Sequence, residues 1–171
     1  WAIVIWDNQE KKLWISRDRF GIKPLYYTVS EDYIAFFSEI KCLKQISCLQ
    51  PFWPEINACL FDGASESHKY TLFKNMYRFP SGSSLLVNVN TCSLFPSFSS
   101  FWELEETQNS EEKLNKNKCR TYSEEYLSIL EDAVRLRLHA DVKVGCALSG
   151  GLDSSSITYL ANRIRKDQSV Y

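Results

Sequence analysis

Residues 145–156 read GCALSGGLDSSS and hold three of the six glycines in the chain. A loop of this composition, closing an apolar run and opening a helix, presents unpaired backbone N–H groups and the positive end of a helix dipole. Gly150 and Gly151 permit a tight turn and close approach of backbone to a ligand. Ser149, Ser154 and Ser155 add hydroxyl donors, and Asp153 can hold a magnesium ion that bridges phosphates. The chemistry indicated is anion binding, with phosphate the best match. The lysine of the GxxxxGK(S/T) pattern is missing, so this is not the ordinary nucleoside-triphosphate loop. Two other readings stay open on these residues alone. One is a Gly-Gly turn capped by Asp153 or Ser154 with no ligand. The other makes Ser149 a nucleophile, since ALSGG departs from the GxSxG elbow only at Ala147; that fold places its histidine after the serine, whereas His68 and His139 both precede it.

The flanking segments must position this loop. Before it, TYSEEYLSILEDAVRLRLHAD has a period near 3.6, with Leu127, Leu130, Val134 and Leu138 on one helical face and Arg135 and Arg137 elsewhere. Thr121 and Glu124 form a capping-box pattern that predicts the helix start. VKVGCAL then reads as a buried parallel strand, and SSSITYLANRIRK as a second helix. Further upstream the period falls to two. WAIVIWD and KKLWISRD flank a polar turn, as do KPLYYTV and YIAFFSEI, predicting an antiparallel meander over residues 1–40. LFKNMYRFPSGSSLLVNVNTCSLFPSF adds strands around its PSG and NVNT turns. Between the two regimes, residues 103–120 are charged, amide-rich and poor in large apolar side chains, as a solvated linker would be. The predicted organisation is therefore a sheet-rich segment 1–102, a linker 103–120 and a helix–strand–loop–helix segment 121–171. The fold class is α+β with an antiparallel sheet, followed by the start of an α/β parallel-sheet nucleotide-binding domain.

Composition limits the function classes. The chain has 171 residues, 44% of them apolar and 24% charged, and a formal charge of -1. It is long enough to bury a core and carries no global attraction to nucleic acid or to acidic membranes. Its six cysteines show no CxxC spacing, against a zinc site and consistent with reduced thiols in the cytoplasm. No apolar run approaches a membrane span.

SGGLDSS resembles the pyrophosphate-binding loop of ATP pyrophosphatases, and LEDAVRLRLHADVKVGCALSGGLDSSSI resembles the corresponding region of glutamine-hydrolysing asparagine synthetases. SRDRFGIKPLYY, AFFSEIKCL and TLFKNMYRFPSGSSLLV are similar to the latter part of the N-terminal-nucleophile glutamine amidotransferase domain of the same enzymes. The resemblance implies ATP and Mg2+, with glutamine and aspartate as small-molecule substrates. It implies formation of an aspartyl-adenylate with release of pyrophosphate, then attack by ammonia from glutamine. No nucleic acid or membrane partner is implied, and a homodimer is an assembly open to it. Leu148 would lie against the nucleotide, Ser149, Gly150, Gly151, Ser154 and Ser155 would hold phosphate, and Asp153 would bind it through magnesium. Asp18 matches the aspartate that holds the α-amino group of glutamine; local sequence alone also fits an aspartate organising a strand-end turn. The family nucleophile is an N-terminal cysteine, whereas this sequence starts at Trp1, and Lys143 replaces a proline common in the family strand. The expectation is an interior fragment without a catalytic residue of its own. Related synthetases that adenylate other carboxylates, as in β-lactam formation, and a non-catalytic homologue are the alternatives.

Overall fold

The computed structural model describes residues 1–46, 48–62, 69–89, 96–104 and 115–167. The chain forms two compact units, Trp1–Thr107 and Gln108–Tyr171.

In the first unit, alternation of apolar and polar residues produces strands β1 (Ala2–Asp7), β2 (Lys12–Arg17), β3 (Tyr26–Val29), β4 (Ile34–Phe37), β5 (Tyr77–Arg78), β6 (Ser83–Asn88) and β7 (Ser99–Ser100). A short 3-10 helix, Ile40–Gln45, and helix α1, Trp53–Asp62, lie between β4 and β5. The β1–β2 hairpin follows the expected pairing, Ala2 opposite Arg17 through Asp7 opposite Lys12. Asp7 Oδ1 accepts the N–H groups of Gln9 and Glu10, and Lys11 takes φ +52° to complete the turn.

The continuous meander expected over residues 1–40 does not form. The strands divide between two antiparallel sheets, one ordered β1-β2-β6-β7 and the other β4-β3-β5. The reason is the core. Leu13 and Ile15 on β2 and Leu85 and Val87 on β6 share an inner face, and Tyr27, Val29, Ile34, Phe36 and Tyr77 supply the other side. Ile15 and Phe79 are fully enclosed, and Phe79 and Phe98 meet edge to face with centroids 5.0 Å apart. Pairing β2 with β3 would leave both apolar faces in water. Packing them against each other as two layers buries both.

The crossover between sheets is polar and tightly held. Arg17, the last residue of β2, donates from Nε to the Lys23 carbonyl at 2.9 Å, from one terminal nitrogen to Phe79 at 2.6 Å and from the other to Gly21 at 2.7 Å. Burial pulls its guanidinium below the usual value, and neighbouring Asp18 opposes that pull. Gly21 adopts φ +62°, and a Cβ there would lie 3.0 Å from Arg17 Cζ, so turn and clamp both require glycine.

Asp18 completes the crossover. Its Oδ1 accepts from the N–H of Phe20 at 3.2 Å and Ile22 at 3.0 Å, and its Oδ2 from Lys23 at 3.0 Å. The Trp1 backbone nitrogen lies 3.4 Å from Oδ2. Burial pushes this carboxyl up, but the N–H groups of Lys23 and Ile22 oppose it, and the carboxyl is held below its ordinary value. The Asp18 carbonyl also accepts from Gly82 at 2.9 Å, tying the crossover to the turn before β6. Gly82 has φ +60°, and a Cβ there would meet the Trp102 carbonyl oxygen at 2.6 Å.

In the second unit, helices α2 (Lys116–Arg137) and α3 (Leu152–Asp167) pack through Val134, Leu160, Ala161 and Ile164, with Leu130 and Leu138 at the border. The expected apolar face of α2 is observed there, although Leu127 is 45% exposed. The helix starts earlier than its capping-box pattern predicts. Asn115 is the N-cap, its side chain accepting from Lys118 N at 2.9 Å, and Thr121 lies inside the helix with its hydroxyl donating to the Asn117 carbonyl. Asparagine is as good a cap as threonine, and the earlier start adds a turn and more of backbone hydrogen bonds. Residues 116–120 of the predicted linker are thus helical, while its residues 105–114, like the NVNT turn beyond Val89, lie outside the described residues.

Three outcomes are expected, two from the crossover and one from a glycine with open space beside it. Gly82→Ala is expected to destabilise the chain by about 1–3 kcal/mol in urea unfolding, through strain at positive φ and the clash with Trp102. Gly145→Ala, where a Cβ meets open space, is expected to change stability by less than about 0.5 kcal/mol. Because the folded Asp18 carboxyl is held below its ordinary 3.8, its stabilisation is complete above about pH 4 and lost as pH falls through the folded value. Acid titration of unfolding stability, with Asp18→Asn as the reference, checks this: the variant is expected to lose the slope in that window.

Candidate functional site

The segment from Val142 to Ser149 also departs from expectation. VKVGCAL is not a strand. Residues 143–149 have no regular secondary structure, and Val142 and Leu148 are 77% and 62% exposed. A parallel strand exists only through hydrogen bonds to neighbouring strands, and none of the described residues of this unit forms one. The expected nucleotide-binding sheet is therefore not seen among the described residues.

The loop itself takes the form its glycines suggest. Gly150 has φ +85°, a conformation that L side chains rarely adopt, and the space beside its Cα is open. Ser155 N donates to the Gly151 carbonyl at 3.1 Å, the first backbone bond of α3, which makes Gly151 the N-cap. Gly151 offers no side-chain oxygen to accept them, so the N–H groups of Leu152, Asp153 and Ser154 are left for solvent or a ligand. The alternative of a turn capped by Asp153 or Ser154 is not what forms: the Ser154 hydroxyl lies 3.2 Å from the Gly151 carbonyl and donates to it. Ser149 Oγ stands 3.0 Å from Ser154 Oγ. With the Ser154 proton directed to Gly151, Ser149 is the donor of that pair.

The expected residues fall into two groups, in adjacent clefts that share Val144, Cys146, Thr158 and Ala161. Ser149, Asp153 and Ser154 line one open cleft of roughly 680 Å3 with Gly145 and Ala147. Leu148 and Ser155 line another of roughly 560 Å3 with Val144, Cys146 and Tyr159. The first group is suited to an anion: two hydroxyls 3.0 Å apart beside the free N–H groups of a 16-residue helix. Asp153, in the first turn, favours the helix dipole yet repels an anion, unless a cation joins the two. That suits a magnesium ion carried on phosphate oxygens, since Mg2+ takes one or two carboxylates and keeps waters. Among the described residues no cluster of three or more histidine, cysteine or acidic side chains could hold a metal unaided. The nucleophile reading of Ser149 gains nothing, because its partner is a hydroxyl and not an imidazole.

Asp18 lies in the other unit. Both its oxygens accept backbone N–H groups and its side chain is only 10% exposed, so its observed work is to build the crossover turn. The residue that sequence reasoning missed is Arg17. Its signal was present as arginine immediately before that aspartate and four residues before a glycine.

Residues 1–102 match the family model for the glutamine amidotransferase domain, and residues 125–170 match that for asparagine synthase. Among curated proteins, asparagine synthetase (glutamine-hydrolyzing) 2 of Bacillus subtilis (strain 168) is 36% identical over 169 residues, covering 94% of this chain and 22% of that protein. Amidase chry2 of Gibberella zeae is 33% identical over 165 residues, covering 96% of this chain and 23% of the relative. A putative asparagine synthetase (glutamine-hydrolyzing) 2 of Methanocaldococcus jannaschii is 29% identical over 160 residues, covering 92% and 30%. The chain thus spans less than a third of the length of these relatives. With the sheet-rich first unit matched throughout and the serine–glycine loop lying inside the second match, the chain belongs to the asparagine synthetase-type glutamine amidotransferase family.

Proposed function

We propose that the full-length protein transfers the amide nitrogen of glutamine to a carboxylate activated by ATP, and that this carboxylate is the side chain of aspartate. The carboxylate oxygen attacks the α-phosphorus, pyrophosphate leaves, and ammonia displaces AMP from the acyl-adenylate to give asparagine. The carrying observation is the pair of serine hydroxyls 3.0 Å apart before α3, in the segment similar to asparagine synthase.

In this reading Ser149, Gly150, Gly151 and Ser154 surround the departing pyrophosphate, with Leu148 and Ser155 in the adjacent cleft toward the nucleotide. Fixed N–H groups and hydroxyls meet charge where it develops and need no reorganisation, which favours the transition state over bound ATP. The two serines exchange their mutual hydrogen bond for phosphate oxygens. Asp153 would hold Mg2+, which neutralises phosphate charge, and the same ion relieves the repulsion between this carboxylate and pyrophosphate.

A second reading keeps the adenylation and changes the acceptor. Two relatives, from Gibberella zeae and Penicillium rubens, carry amidase names at 33% and 35% identity over more than nine-tenths of the chain. An acceptor other than aspartate is the form this alternative takes.

The test is glutamine-dependent formation of asparagine by the full-length protein with ATP and Mg2+, following AMP and pyrophosphate alongside the amide. Stoichiometric asparagine and AMP is the expected result. AMP release that requires a different carboxylic acid selects the second reading, and failure to cleave ATP with any acceptor sinks both. Ser149→Ala and Ser154→Ala are each expected to weaken binding of magnesium pyrophosphate by about tenfold or more, as measured by calorimetry, through loss of a hydrogen bond to a charged group.

A further inference from the structure

We draw no further inference here: the strongest candidate, the apolar edge strand β1, whose Ile3, Val4, Ile5 and Trp6 stand exposed on both faces at the open side of the four-stranded sheet, carries nothing because nothing in the structure shows what covers it.

Discussion

The first unit depends on one charged side chain placed where its two sheets meet. The Arg17 guanidinium is held against three carbonyl oxygens, two from the crossover loop and one from Phe79, the residue after β5. The Phe79 and Gly21 carbonyls are partly buried and would otherwise be acceptors in search of a donor. One planar cation with five N–H groups satisfies all three, where lysine would offer a single point charge. The clamp also explains its neighbours. Gly21 must lack a Cβ to pass the guanidinium, and Asp18 must gather the N–H groups that the same tight loop turns inward. Charge, turn and packing are thus one arrangement, with Phe79 and Ile15 sealed directly behind it.

The second unit is built on a contrasting principle. Its apolar seam between α2 and α3 is short, and the loop between the helices keeps its polar groups on the outside. Gly150, Gly151, Ser149 and Ser154 take an anion-receiving form through local forces alone: a positive φ, a helix dipole and a hydroxyl pair.

The strands of the first unit and the helices of the second were legible because their signals are local. Period-two alternation places Leu13, Ile15, Leu85 and Val87 on one face whatever they pack against, and Leu130, Val134 and Leu138 must share a helical face. The errors arose where the answer depended on distant partners. β2 and β3 read as consecutive strands of one sheet, yet their inner faces were better buried against each other than side by side. VKVGCAL has a strand's composition without strands to pair with. Thr121 had a cap's pattern, but Asn115 could cap too, and helix propagation favours the earlier start once it is nucleated.

By itself the sequence determined which segments alternate, which coil, and that one loop concentrates the glycines and hydroxyls suited to phosphate. Those properties follow from side-chain volume, φ preference and periodicity, which act within a few residues. Only the tertiary structure decided that Arg17 closes the crossover, that Asp18 spends its carboxylate on backbone N–H groups, and that Ser149 meets Ser154 while Ser155 lines an adjacent cleft. Each of these is a matter of which polar groups find partners once water is excluded, and that is settled between segments that the fold brings together.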